Sequence, residues 1–187
     1  MKPVILCIAG VSGSGKSTLA NYIENKYEIP MIESWTDRAP RYEGERGHNF
    51  ISSEEFDKIK IEDMIAKTVF GGNRYCCLKS DVKKINTYVI DENGIKYLKN
   101  YFSDEYMIFT IKVERDECLI LKSGISQERI ERDRGMFGND IKYDFVIKNN
   151  SSIEYMYKYF DNILIYLNTY IYLINQKTLG ETHANKD

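Results

Sequence analysis

Apolar positions along the chain fall alternately into short runs and into stripes of helical period. Val4–Ile8, Met31–Ser34, Thr87–Ile90, Tyr106–Ile111 and Asp144–Ile147 are runs of strand length. Between them, Ser17–Lys26, Gly94–Phe102 and Asp116–Arg134 carry apolar residues at helical spacing, the last interrupted near Gly124. Strand and helix in alternation predict an α/β fold: a mostly parallel five-stranded sheet with helices on both faces. Residues 35–86 break the alternation. There Ser52 and Glu55 have capping-box spacing. The stretch KTVF-GGN-RYCCL predicts two short strands around a Gly-Gly-Asn turn. A small antiparallel insert (35–86) is therefore expected inside a parallel core (1–34 and 87–175). Near the C-terminus, Ile153, Met156, Tyr157, Phe160, Ile163, Leu164, Leu167, Ile171 and Ile174 form one helical stripe. That stripe suits a core-covering helix, or an interface with a second copy. From about Thr178 the chain turns polar, and 178–187 is expected to fray.

Composition narrows the class. The 187 residues are 43% hydrophobic and 29% charged, the balance of a single globular domain. A formal net charge of -2 gives no broad basic field for a nucleic-acid backbone, although a small anion needs only a local basic pocket. Cys7, Cys76, Cys77 and Cys118 have neither CxxC nor zinc-ligand spacing, so they are expected as reduced, buried or half-buried thiols in a cytoplasmic protein. The apolar stretch after Lys2 is too short for a signal sequence. The C-terminal stretch NILIYLNTYIYLIN is too short and too rich in Asn for a membrane span.

The first strand runs directly into GVSGSGKST, residues 10–18, and a helix pattern follows. Gly10 to Ser17 fits GxxxxGK[ST] in its required strand–loop–helix setting. In such a loop Gly10, Gly13 and Gly15 let successive backbone N–H groups, with those of Ser12, Ser14 and Thr18, curl around a phosphate. The start of the helix adds its positive end. Lys16 can reach the outer phosphates of ATP and the Ser17 hydroxyl can ligate Mg²⁺. A GTPase switch is excluded: DENG at Asp91–Gly94 is too cheap a pattern, and NKYE at Asn25–Glu28 lacks the final Asp and sits in the first helix.

What receives the phosphoryl group depends on Ser34–Phe56. Arg38 and Arg41 flank Pro40 in a loop after the second strand, and two such guanidinium forks suit a second phosphate. This stretch resembles the acceptor loop of guanylate kinases through Ser34, Arg38, Pro40, Arg41, Gly44, Glu45, Gly47 and Phe50. GGNRY, VIDENG and YDFVIKNN resemble further stretches of that family, so the likeness spans most of the chain. The resemblance implies a P-loop core, a small nucleoside-monophosphate-binding insert and a lid at about 122–140. It implies that Arg38 and Arg41 hold the acceptor phosphate with Ser34 and Tyr75 nearby, and that Asn149 lies by the adenine. Arg129 corresponds to a lid arginine, and Arg132 follows at i+3 on the same helix face. The implied reaction is ATP + NMP ⇌ ADP + NDP, with Mg²⁺.

The base-reading positions depart from the family. Its guanine-binding Glu falls on Ala66, its Ser/Thr on Cys77, its acceptor-loop Tyr on His48, and of its two Asp only Asp91 is kept. Either Glu62 or Asp63 replaces the carboxylate, or the pocket is rebuilt for another base or a deoxynucleotide. Two rivals stay open: a kinase of another phosphorylated acceptor such as a sugar phosphate, and a non-catalytic protein-binding domain. The sequence leaves both a monomer and a homodimer open.

Overall fold

A computed structural model describes residues 2–134 and 141–184, for 174–184 the backbone only. The expected lid residues 135–140, the end of the tail and the side chain of Ile174 lie outside the described residues. Strands and helices alternate as β1 (Val4–Ala9), α1 (Lys16–Tyr27), β2 (Ser34–Thr36), β3 (His48–Phe50), α2 (Ser53–Phe56), β4 (Met64–Phe70), β5 (Asn73–Leu78) and β6 (Ile85–Val89). They continue as α3 (Glu92–Phe102), β7 (Met107–Glu114), α4 (Glu117–Lys122), α5 (Gln127–Arg134), β8 (Phe145–Lys148) and α6 (Ile153–Ala184).

The main sheet is parallel, in the order β6-β1-β7-β8. Among the described residues it has four strands where the sequence predicts five. The fifth run, Met31–Ser34, gives this sheet a single bridge, Met31 to Thr87. From Ser34 onward the chain leaves it and pairs with β3 and β5 instead. Both faces of β1 are buried, so it reads as an unbroken apolar run, as central parallel strands do. Val4, Leu6 and Ile8 pack under α1 and α6 against Leu19, Ile23, Met156, Phe160 and Leu167. Ile5, Cys7 and Ala9 face the other way, toward Ile95 and Leu98 of α3.

The second sheet, in the order β3-β2-β5-β4, is mixed: β2 and β3 are parallel, and β4 and β5 form the antiparallel hairpin turned by Gly71 and Gly72. The capping box expected from Ser52 and Glu55 opens α2. Arg74 ties this sheet to its loops through Asp37 (2.6 Å) and Asp57. The predicted stripe on α6 buries Met156, Phe160, Ile163 and Leu167, while Ile153 is 41% exposed at the helix start. The helix continues to Ala184, beyond the Thr178 where polar composition predicts fraying. Cys7, Cys76 and Cys77 are buried free thiols and Cys118 is exposed. Among the described residues, no helix is long and apolar enough to cross a membrane.

Phe160 is fully buried between α1 and the sheet. Phe160→Ala is expected to destabilise the protein by about 3–5 kcal/mol, whereas Ile165→Ala, at a 66% exposed position, is expected to stay within about 0.5 kcal/mol. Urea unfolding checks both, as a lowered midpoint at unchanged slope for the first variant only.

Candidate active site

The loop between β1 and α1 lies hard against the ends of the neighbouring strands. Gly10 has φ 145°, and a Cβ there would stand 2.3 Å from the Val113 carbonyl oxygen. At Gly15, with φ 109°, a Cβ would meet the Asn149 amide at 2.5 Å. Only glycine meets both demands, positive φ and no side-chain volume. Gly15 is also the N-cap of α1, and no side chain caps that helix. The helices α2 and α3, by contrast, are capped by Ser52 and Asp91. The first-turn N–H groups of α1 are thus left for an anion. Ser14 Oγ is buried there without a hydrogen-bond partner among the described residues.

A cavity of about 550 Å³ opens over this loop. The loop residues Gly10, Ser12, Gly13, Gly15, Lys16, Ser17 and Thr18 line it, together with Arg41, Arg129 and Arg132. Ser34, His48, Thr68, Phe70, Tyr75, Tyr88 and Asp91 form further wall. Burial chiefly lowers the Lys16 pKa to about 8; Asp133 opposes that shift, and Arg129, Arg41 and Arg132 add to it. A buried lysine with three arginines close by makes a site for a multiply charged anion. Lys16 Nζ donates to the Val11 carbonyl at 2.9 Å.

The two predicted acceptor arginines converge on one carboxylate. Arg38 Nη2 donates to Glu45 Oε1 at 2.8 Å, and Arg41 Nη1 donates to the same oxygen at 3.0 Å. The Arg41 backbone N–H also donates to Glu45 Oε2 at 2.7 Å. Burial works against the Glu45 charge, yet the hydrogen bonds from Arg38 and Arg41 hold its pKa below the usual range. Arg38 is otherwise spent on Tyr75 Oη (3.1 Å) and the Ala39 carbonyl (2.8 Å), over the Phe50 ring. Arg41 lines the cavity and Arg38 stands behind it. His48 sits beside Phe50 and Tyr75, at ring distances of 5.7 and 5.6 Å. Burial, then Arg38, lowers its pKa to about 4, and its Nδ1 is buried without a partner among the described residues.

Two expected wall residues are elsewhere. Ala66 and Cys77 pair across the β4–β5 hairpin and are buried under α3 in the apolar cluster with Ile95 and Leu98. A register irregularity between Met64 and Ala66 precedes them. The cavity wall begins one pleat further on, at Thr68, whose Oγ1 donates to Asp91 Oδ1 at 3.1 Å. Asp91 also accepts from the N–H groups of Asn93 and Gly94, and burial raises its pKa despite them. Glu62 and Asp63 are exposed in the turn before β4 and do not line the cavity. Asn149 does reach it, but its Nδ2 donates to the Ser14 carbonyl at 2.8 Å and so braces the loop.

Sequence reasoning passed over three residues. Arg115, at the end of β7, lines the cavity and donates to the Gly13 carbonyl at 3.3 Å. Thr68 carries the polar group that Ala66 lacks. Asp133 is buried at 1% exposure and accepts from the Ser12 N–H at 2.6 Å. Within the charge run QERIERDR only helical spacing marks it, through its place three residues after the buried Ile130.

No protein-family model matches the chain. Guanylate kinase of Fusobacterium nucleatum is 32% identical over 159 residues, covering 76% of this chain and 86% of that one. Guanylate kinase of Helicobacter pylori is 32% identical over 144 residues, 68% of each chain. The crystal structure of guanylate kinase from Anaplasma phagocytophilum superposes with a TM-score of 0.66 at 23% identity, covering 90% of this chain and 86% of that one.

The buried His48 makes stability depend on pH. Its pKa is near 6.5 unfolded and about 4 folded, so between those values the unfolded state binds more protons and stability rises with pH. Acidification through this window is expected to cost up to about 3 kcal/mol that His48→Phe does not lose. Urea midpoints between pH 4 and 7 check this; parallel profiles for the two proteins would contradict it.

Proposed function

Because the chain belongs to the guanylate kinase family, we propose that it transfers the terminal phosphoryl group of ATP to a nucleoside monophosphate, GMP or dGMP, giving the diphosphate. One observation carries this reading. The glycine loop with Lys16 and the second-sheet residues Arg41, His48 and Tyr75 line the same cavity, so a donor and an acceptor phosphate have cations in one enclosure.

The residues fit the nucleotide's phosphates: an uncapped helix start, a buried orphan hydroxyl at Ser14 and a crowded lysine all call for anionic oxygens. Mg²⁺, held at the Ser17 hydroxyl, would neutralise phosphate charge. Lys16 binds the outer phosphates, and Arg129 and Arg132 offset charge on the group in transit. On the acceptor side, Arg41 takes the monophosphate, with the His48 ring nitrogen and Tyr75 beside it. Arg38 acts through Glu45, which fixes the direction of Arg41. Neutral His48 contributes a hydrogen bond rather than a charge across the physiological range. Asp91, backed by Thr68, offers the base a carboxylate, and the N–H donors of guanine are its natural partners. The segment around α5 covers the loop and keeps water from the phosphoryl group.

ADP release from ATP and Mg²⁺, with each ribo- and deoxynucleoside monophosphate in turn, tests the proposal. GMP and dGMP are expected to give turnover, and Lys16→Ala to lose ~10²-fold or more in kcat/KM. Turnover with no nucleotide, despite ATP binding, would contradict it. In the same assay Glu45→Gln is expected to raise the acceptor KM about tenfold and leave the ATP KM unchanged, since Glu45 supports only the acceptor side.

A further inference from the structure

The segment α5 presents three charged side chains to one residue of the glycine loop. Arg129 Nη2 donates to Ser12 Oγ at 3.1 Å and Arg132 Nη2 donates to it at 3.3 Å. Asp133 Oδ2 accepts from the Ser12 backbone N–H at 2.6 Å. The other carboxylate oxygen, Oδ1, accepts from Arg132 Nε at 2.8 Å and from Nη2 at 2.5 Å. The other acids of this helix, Glu128 and Glu131, are exposed, whereas Asp133 is 1% exposed. Burying a carboxylate is costly unless it is paired and hydrogen-bonded, and both conditions are met here.

Two roles fit a carboxylate in this place. It either stands in for a phosphate and must leave when ATP binds, or it holds α5 while the phosphates use the remaining donors. The geometry favours the second. A phosphate surrogate would take the loop lysine as a hydrogen-bond partner, yet Lys16 Nζ, though within Coulombic reach of Asp133, bonds to the Val11 carbonyl. The uncapped first turn of α1 stays available. Arg132 is gripped from a second side, its guanidinium 4.9 Å from the centre of the Phe70 ring at the tip of the β4–β5 hairpin. The guanidinium is thus fixed between Asp133 and Phe70, at the cavity that both loops line.

We propose that Asp133 is a positioning residue: its carboxylate fastens α5 to the glycine loop at Ser12 and sets the aim of Arg132 across the phosphate site. Its effect on turnover rests on the phosphotransfer reading above; its fastening of α5 does not.

The test uses the full chain with Asp133→Asn, Asp133→Ala, Arg132→Ala and the Asp133→Ala/Arg132→Ala double variant. Calorimetry gives the ATP·Mg²⁺ affinity, steady-state assays with GMP give kcat and KM, and trypsin gives the cleavage rate within α5. The proposal expects an ATP affinity within about threefold of wild type, a kcat lowered ~10²-fold in Asp133→Ala, and a smaller loss in Asp133→Asn, which keeps an oxygen for the Ser12 N–H. The double variant should lose clearly less than the sum of the two single losses, because Asp133 acts in large part through Arg132. Additive losses would overturn the proposal. ATP binding tightened about tenfold in Asp133→Ala would overturn it too, since the carboxylate would then compete with phosphate. If wild-type protein transfers phosphoryl to no monophosphate, the functional reading fails and trypsin decides the positioning question separately. Without nucleotide, trypsin should cleave within α5 more slowly in wild type than in Asp133→Ala; equal rates would overturn the proposal.

Discussion

The constraint on which the site depends is the contact between the glycine loop and the strand ends beside it. Gly10 passes so near the Val113 carbonyl that a methyl group would overlap it. Gly15 is as close to Asn149, whose backbone N–H is tied in turn to Glu114 at 2.7 Å. The loop therefore takes its shape from β7 and β8 as much as from its own sequence. That shape opens the N-terminus of α1 and places Lys16 in a buried, cation-rich setting. It also brings Ser12 within reach of α5. The parallel sheet acts as the rigid member against which the phosphate site is pressed.

Charge at the site is organised around two carboxylates whose side chains are almost covered. Glu45 gathers Arg38 and Arg41 on the second sheet, and Asp133 gathers Arg132 and the Ser12 N–H on α5. Each takes the repulsion out of a group of like charges while leaving guanidinium groups directed at the cavity. Burial already lowers the Lys16 pKa, and without Asp133 to oppose that shift the neighbouring arginines would push the lysine further toward neutrality. With Lys16, Arg41, Arg115, Arg129 and Arg132 against Asp91 and Asp133, the cavity lining still presents net positive charge.

The parts of this arrangement that are contiguous in sequence were legible there. The glycine loop, the capping box, the hairpin and the α6 stripe up to Ile171 each depend on local spacing, and each stands where spacing predicts, apart from the exposed Ile153. The likeness to guanylate kinases likewise agrees with the relatives found. Legibility failed where tertiary pairing decides. Ser34–Thr36 could have extended the main sheet, but β5 and β3 offered more hydrogen bonds, so the fifth strand shrank to one bridge. Counting residues back from Gly72 identifies Ala66 but not the layer it packs in, and the core beneath α3 claims both it and Cys77. Arg38 and Arg41 look equivalent in sequence; Glu45 and Tyr75 make one a support and the other part of the wall. Asp133 looks like one more solvated acid in a charge run, and only the fold turns it inward.

The central claim is that donor and acceptor phosphates share one enclosure. An adenosine and a guanosine joined through a pentaphosphate would occupy both halves at once. Calorimetric titration should show binding at one molecule per chain, and Lys16→Ala and Arg41→Ala should each weaken it by on the order of tenfold or more. An Arg41→Ala variant that binds the linked nucleotide as tightly as wild type, while Lys16→Ala does not, would contradict the account, because the glycine loop would then work without the second sheet.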